Sequence, residues 1–186
     1  MKDEFIAKWP LRASELNRIW NNKNYTDIDF DIITGGVKAI HISHYQHKTK
    51  DKRKYFDNSY SSSDLEKLCQ QILFQNGFSC ILENEIIFNP ATGKKVTALD
   101  YTTNGERMDI RSITENRDKT IENALKAKRK QLHKFNAENN VELSSLILYF
   151  HDPGFFKEEA VSNGLQGSLK RVICVFGDGR YKIIKK

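Results

Sequence analysis

The chain has 186 residues, of which 39% are hydrophobic and 29% are charged, a balance that predicts a folded protein and excludes a largely disordered one. Lys and Arg outnumber Asp and Glu by 30 to 24, and the net charge of +6 favours a polyanionic partner. The longest apolar run, residues 146–150, is far too short to cross a bilayer, so we expect no membrane segment.

Residues 1–60 are polar and irregular, and we predict that they form an N-terminal extension. The extension should contain a short helix broken near Pro10, followed by a strand-like stretch that ends at Gly35 and Gly36. Glycines at such a point let the backbone turn sharply or approach a phosphate closely.

Residues 61–186 should form an α+β domain, with a largely antiparallel sheet of about five to six strands and two main helices. The first helix is predicted to begin at a capping box formed by Ser63 and Glu66. Its apolar stripe is Leu65, Leu68, Cys69, Ile72 and Leu73. The second helix is predicted over residues 119–138, and its inward side chains are Ile121, Leu125, Leu132 and Phe135. Strands are predicted over residues 79–88, 96–103, 107–113 and 143–150, with two more around the turn at residues 177–179.

Three histidines, His41, His44 and His47, follow the glycine pair at a spacing of three. On a helix they would share a face and could hold zinc, but the local sequence is more typical of a strand, where they would point to opposite faces. Histidines also suit RNA cleavage, in which a base takes the proton of the 2′-OH and an acid protonates the leaving oxygen. A strand end whose histidines have no catalytic role is the third interpretation.

Several carboxylates surround the predicted strand at residues 107–113. Glu66, Asp100 and the pair Asp109 and Arg111 imitate the layout of two-metal nucleases of the restriction-enzyme type. Arg111 departs from that layout because its guanidinium stays protonated and cannot act as a base. A purely structural Asp–Arg pair fits the same pattern.

The second helix is strongly basic. Its cationic and histidine side chains within nine residues are Lys126, Lys128, Arg129, Lys130, His133 and Lys134. Such a surface suits contacts with nucleic-acid phosphates, which position a partner without reading its sequence. A solvated helix face is the alternative.

Together, the stretches TGGVKAIHISH, ILENE, MDIRSI and TIENALKAKRKQ and the helix ending NGF resemble the C-terminal toxin domains of bacterial polymorphic and contact-dependent toxins and of phage or conjugative-element proteins. Those domains are grouped with the barnase, EndoU, colicin and RelE nucleases, and the resemblance covers about residues 30–150. It implies a metal-independent ribonuclease without a cofactor, often attacking tRNA. Such a domain is carried by a larger delivery protein, acts in the cytoplasm of a target cell and is neutralised by an immunity protein.

Carried over by position, the resemblance gives the catalytic candidates His41, His44, Glu85, Asp109, Arg111, Ser112 and Thr120. The substrate-binding candidates are Lys38, Asn123, Lys126, Arg129, Lys130, Gln131 and His133. Many relatives carry Lys where Arg111 stands, which weakens any proton-transfer role for this residue. Two other functions stay open, a metal-dependent restriction-type nuclease built on Asp100 and Asp109 and a non-catalytic nucleic-acid-binding module of a mobile element.

Overall fold

A computed structural model describes residues 1–46 and 53–186, so His47 and part of the basic segment at 48–60 lie outside the described residues. The helices are α1 (Lys2–Lys8), α2 (Ala13–Trp20), α3 (Ser43–Gln46), α4 (Ser62–Gln75), α5 (Asp118–Asn139) and α6 (Glu158–Gly164), with 3-10 turns at Pro10–Arg12 and Pro153–Phe155. The strands are β1 (Tyr25–Phe30), β2 (Val37–His41), β3 (Ser79–Leu82), β4 (Tyr101–Thr103), β5 (Glu106–Ile113), β6 (Ser145–Phe150), β7 (Arg171–Phe176) and β8 (Tyr181–Lys185). Within this part of the chain, no helix is long and apolar enough to span a membrane.

All eight strands of the described residues lie in one sheet, in chain order from β1 to β8. Four neighbouring pairs are antiparallel, and three (β2–β3, β5–β6 and β6–β7) are parallel. The predicted α+β class is confirmed. The strand count is higher than predicted because β1 and β2, which lie before residue 60, join the sheet through the parallel pairing of β2 with β3.

The sheet is covered on both faces. On one face, α4 packs against β3 to β7 through its apolar stripe, in which Leu68 alone is only partly buried. On the other face, α5 and α6 pack against β6 and β7, and all four predicted inward residues of α5 are buried. A smaller cluster joins α1 and α2 to β1, β2 and β3. Buried apolar area on both sides therefore fixes the positions of α4 and α5 across the sheet.

The capping box of α4 lies two residues earlier than predicted. The hydroxyl of Ser61 accepts a hydrogen bond from the backbone N–H of Asp64 at 3.2 Å, and the Asp64 carboxylate accepts one from the N–H of Ser61 at 2.7 Å. The prediction of Ser63 and Glu66 was wrong because three consecutive serines offer three registers, and Asp64 can replace the usual Glu. Glu66 therefore takes no part in the capping box of α4.

Strand β5 changes partner half-way along its length. Residues 106–108 pair with β4, whereas residues 109–113 pair with β6. The predicted strands over residues 79–88 and 96–103 are shorter in the structure, since β3 ends at Leu82 and β4 begins only at Tyr101. The second half of β5 therefore faces irregular chain on its β4 side, and the change of partner occurs at Asp109.

The glycine pair before β2 has a packing role. A Cβ atom added at Gly36 would lie 2.2 Å from the carbonyl oxygen of Phe74, near the end of α4. Gly35 has a φ of +78°, and the Trp9 ring lies directly against it. Both glycines therefore let the chain pass close to other parts of the protein.

Replacing Gly36 with Ala should lower the free energy of unfolding by about 1–3 kcal/mol, the usual cost of overpacking, because backbone atoms must move apart. Urea denaturation of the purified variant measures this loss. Gly154→Ala is the control, since its Cβ would meet only the exposed side chain of Asp152, at 3.0 Å. Equal losses in the two variants would contradict the packing role.

Candidate active site

Asp109 is a buried carboxylate at the point where β5 changes partner. Its side chain has no exposed surface, and Nζ of Lys128 lies 2.7 Å from its Oδ2 atom. Its Oδ1 atom accepts a hydrogen bond from the backbone N–H of Ile110 at 3.0 Å. The side-chain alternation that buries Met108 and Ile110 against α4 directs Asp109 to the opposite face, toward α5.

A second carboxylate lies beside the first. Asp100, just before β4, lies close enough to Asp109 for its charge to act on that carboxyl group. Burial and the charge of Asp100 raise the pKa of Asp109 well above the usual aspartate range, although Lys128 opposes that shift. Glu66 of α4 lines the same pocket as Asp100 and Lys128. Two carboxylates, Glu66 and Asp100, therefore line this pocket together with Tyr55, and the buried Asp109 lies behind its wall, in contact with Lys128.

Lys128 reaches Asp109 from α5, where it occupies a position of the inward stripe. It follows Leu125 by three residues and precedes Leu132 by four, and both of these leucines are fully buried. Its Nζ atom also lies 3.3 Å from Oε1 of Gln131. Gln131, predicted to bind substrate, donates its amide hydrogen to the carbonyl of Ala98 at 3.0 Å. These bonds fix Lys128 and the segment before β4 relative to each other.

An open cleft of about 480 Å³ continues from this pocket along the end of β5. Four of the predicted site residues line it, namely Arg111, Ser112, Thr120 and Asn123. Arg111 is exposed, and the Thr120 hydroxyl lies 3.5 Å from the Glu115 carboxylate. The guanidinium of Arg111 and several neutral hydrogen-bond donors therefore line the cleft beside the Asp109–Lys128 pair.

Of the two predicted catalytic histidines, His41 is the last residue of β2, whereas His44 lies in the short helix α3 and not in a strand as predicted. His41 packs edge-on against the Tyr25 ring, and its Nδ1 atom lies 2.9 Å from the Ser43 hydroxyl. Burial lowers the pKa of His41, partly offset by the charge of Glu83. His44 is almost completely buried, and its Nε2 atom lies 2.6 Å from the carbonyl oxygen of Glu83. Neither ring lines the cleft beside Arg111.

Glu85, the remaining catalytic candidate, lies beside His44. One of its carboxylate oxygens is 3.4 Å from Nδ1 of His44. Ligand atoms of His44, Glu85 and Glu66 all lie within 4.8 Å of one another. Glu66 therefore connects the histidine end of the predicted site with the pocket that Asp100 and Lys128 line.

The predicted substrate-binding cations are divided between two regions. Lys126, Lys130 and His133 are exposed on α5, and Arg129 is half-buried, donating to Oε1 of Gln166 at 2.8 Å. Lys38 lies on β2, where its Nζ atom is 2.7 Å from Oε1 of Gln71 and 3.6 Å from a carboxylate oxygen of Asp29. The α5 group shares a helix with Lys128, whereas Lys38 does not line the cleft.

No protein-family model matches the chain, and no curated protein matches it in sequence. Among solved structures, one similar chain belongs to a CdiA-CT/CdiI toxin and immunity complex from Burkholderia pseudomallei. The TM-score is 0.47 and the sequence identity is 19%, over 67% of this chain and 85% of that chain. A likeness at this level transfers neither a fold nor an activity to this protein.

Sequence reasoning did not select Lys128 as a functional residue. It treated this lysine as one of many cations on α5, although the helical period places it on the apolar stripe. A charged side chain at a buried position needs a partner of opposite charge, and that rule was the available signal. Tyr55, Ser62 and Thr114 also line the pocket. No pattern in the sequence distinguishes these three residues from other polar residues.

Replacing Asp100 with Asn should stabilise the protein near neutral pH, because it removes a negative charge beside the buried Asp109. A carboxyl group with a raised pKa contributes stability at low pH that is lost as the pH rises through that pKa. The variant lowers the pKa of Asp109 and so reduces that loss. We expect a higher Tm at pH 7, by roughly 2–4 °C for each kcal/mol gained.

The gain in Tm should shrink as the pH falls toward about 4, where an ordinary aspartate takes up its proton. Thermal unfolding measured from pH 4 to pH 8 tests this dependence. Asp3→Asn, at an exposed position in the first turn of α1, is the control and should give no such gain. A lower Tm for Asp100→Asn at pH 7 would show that Asp100 stabilises the fold.

Proposed function

We propose that the protein is a nuclease that hydrolyses phosphodiester bonds at the Asp100–Asp109–Lys128 cluster with the help of a divalent cation. The observation that carries this proposal is the buried carboxylate of Asp109, which contacts Asp100 and Lys128 next to an open cleft. A carboxyl group with a strongly raised pKa and a specific charged partner, lying in a cleft, is typical of active sites.

The donor set of this cluster fits a hard divalent cation such as Mg²⁺ or Mn²⁺. Asp100 and Asp109 offer carboxylate oxygens, the ligands that these ions prefer, and the single charge of Lys128 does not balance both carboxylates. A cation bound there would supply Lewis acidity toward the phosphate and would lower the pKa of a bound water. Because Asp109 must lose its proton to act as a ligand, cation affinity should increase with pH.

The side chains around the two carboxylates have different proposed roles in positioning the substrate and stabilising charge. Lys128 holds Asp109 in position and keeps a positive charge where negative charge develops on the phosphate. Arg111 presents a planar guanidinium to the cleft, which can donate two parallel hydrogen bonds to a phosphate. Ser112 and Asn123 add neutral hydrogen-bond donors along the cleft. Substrate would therefore be held by Arg111 with its scissile phosphate close to Asp109.

The contacts of the histidines support this carboxylate chemistry over the metal-independent alternative. A histidine that acts on a 2′-OH must come within hydrogen-bonding reach of it. The ring of His44 is enclosed by protein, and His41 contacts Ser43 and Tyr25. By contrast, Lys128, the partner of Asp109, lines a cleft large enough for a nucleotide-sized group.

The sequence resemblance supports RNA as the substrate and a toxin as the biological role. It implies a domain that acts in the cytoplasm of a target cell, with tRNA as the favoured target and an immunity protein as the neutralising partner. The exposed cations of α5 would contact backbone phosphates, which RNA and DNA share, so they support either polymer as the substrate. Cleavage of both polymers should therefore be compared.

Asp109→Asn and Lys128→Gln should each reduce RNA cleavage by about 10²–10³-fold, because each removes charge at the reacting phosphate. The initial rate on purified tRNA with Mn²⁺ measures this loss, and circular dichroism measures the folded fraction. Asp118→Asn, at the exposed first residue of the same helix, is the control and should retain the full rate.

The product ends distinguish the two chemistries. Attack by water should leave no 2′,3′-cyclic phosphate, because the 2′-OH takes no part in the reaction. Cyclic ends together with full activity of Asp109→Asn would instead support the histidine mechanism. Binding of RNA and DNA without cleavage of either would support a non-catalytic nucleic-acid-binding module.

The exposed face of α5 should bind the nucleic-acid backbone. Lys126→Gln with Lys130→Gln should weaken the affinity for all RNA sequences alike and should flatten the plot of log affinity against log salt concentration, by roughly 0.7 for each lost contact with a single strand. The inactive Asp109→Asn variant provides the background for these binding measurements. A double Gln variant of the exposed Lys94 and Lys95 is the control. An unchanged salt slope for the α5 variant would show that its face is only solvated.

A further inference from the structure

Tyr55 is the one aromatic residue that lines the pocket beside Asp100 and Lys128, within the part of the chain that the structure describes. The other lining residues are polar or charged, with the exception of Ile110. Four of them also line the neighbouring cleft, namely Arg111, Ser112, Thr114 and Lys128. An aromatic ring beside cations that can contact phosphates is the combination by which proteins bind single-stranded nucleic acid.

The backbone of Tyr55 is fixed at the start of α4, because it closes a turn formed by residues 55–60. Its N–H donates to the carbonyl of Tyr60 at 2.9 Å, and the N–H of Tyr60 donates to the carbonyl of Tyr55 at 3.2 Å. Tyr60 directly precedes Ser61, whose hydroxyl belongs to the capping box of α4. Tyr55 therefore has a set position relative to Ser62 and Glu66, which line the same pocket.

Two other aromatic residues of this turn anchor it to the end of β6. The rings of Phe56 and Tyr60 lie 4.7 and 4.6 Å from the ring of His151, measured between centroids. Nδ1 of His151 lies 3.0 Å from the Tyr149 hydroxyl, and this contact holds the imidazole against the two rings. Phe56 and Tyr60 therefore secure the turn, and Tyr55 is its residue that lines the pocket.

The turn has an unfavourable backbone conformation. Phe56, Asp57 and Asn58 have φ angles of +52°, +57° and +63°, in the left-handed region that residues with side chains rarely adopt. Phenylalanine lacks the short polar side chain with which Asp and Asn form local hydrogen bonds there. Such a conformation persists where surrounding contacts enforce it, and it is found most often at active sites and ligand clamps.

We propose that Tyr55 stacks on an unpaired base of the nucleic-acid substrate, next to the phosphate that Arg111 holds. Every base has a π face, so the ring gives affinity for single strands without selecting a sequence. A base within a duplex must leave its stack before it can contact the ring, whereas the bases of RNA loops are already accessible. The ring would restrict cleavage to unpaired nucleotides, and in this respect the proposal rests on the proposed nuclease function.

Binding of a short single-stranded RNA by the full chain carrying Asp109→Asn tests the stacking in the absence of efficient cleavage. Adding Tyr55→Leu, which keeps an apolar side chain against the core, should weaken the affinity by about 5–100-fold, the usual effect of losing one stacked base. Adding Tyr55→Phe, which keeps a ring, should leave the affinity unchanged. Tyr181→Leu, at an exposed tyrosine of β8, is the control and should also bind with unchanged affinity.

RNAs that lack a single base separate stacking from a structural role of Tyr55. The abasic nucleotide is moved along the strand one position at a time. At one position, the missing base should weaken binding by the Asp109→Asn protein as much as Tyr55→Leu does. The same missing base should cost the Tyr55→Leu protein nothing further, because losses at two groups in contact are not additive.

The proposal is overturned if each abasic RNA weakens both proteins equally, if Tyr55→Leu binds intact RNA as tightly as its background, or if neither protein binds RNA. Cleavage adds a second measurement, in protein that retains Asp109. This protein should cleave single-stranded RNA faster than a duplex of the same sequence, and Tyr55→Leu should reduce that preference. An unchanged preference would overturn the stacking alone, whereas base-dependent binding without any cleavage would support the stacking and overturn the nuclease proposal.

Discussion

The contact between Asp109 and Lys128 governs the arrangement of the site. A carboxylate without exposed surface in the middle of β5 costs several kcal/mol unless a positive charge meets it. Lys128 supplies that charge from the inward stripe of α5, and the apolar residues on either side of it in the helix hold it there. At this residue β5 stops pairing with β4 and begins to pair with β6. The end of the β4 pairing leaves space for a pocket beside β5.

The same arrangement is unfavourable for stability, as expected of a cluster that serves the proposed chemistry. Asp100 adds a second negative charge that Lys128 cannot neutralise, and the pKa of Asp109 is raised as a result. Proteins retain such unfavourable charges where a substrate or a cation later compensates for them. Arg111 in the cleft and the exposed cations of α5 are the groups that would attract a polyanion under the proposed function.

Local patterns in the sequence predicted the elements and pointed to Asp100 and Asp109 as candidates, but they did not predict the contact with Lys128. The apolar stripes of α4 and α5 follow the helical period, and the mostly apolar β6 has apolar residues on both faces, so these three elements specify their own burial. The meeting of Asp100, Asp109 and Lys128 depends on where β4 begins and on which strand pairs with each half of β5. Those are long-range pairings that periodicity does not encode. The position of Lys128 on the inward stripe was a local sign of its buried partner.

Cleavage of tRNA before and after removal of divalent cations tests the central claim most directly. The account predicts that excess EDTA abolishes cleavage and that Mn²⁺ or Mg²⁺ restores it, with a rate that rises with pH as Asp109 loses its proton. The Asp109→Asn protein should gain nothing from either ion. Cleavage that continues undiminished in EDTA would contradict the account and return the chemistry to His41 and His44.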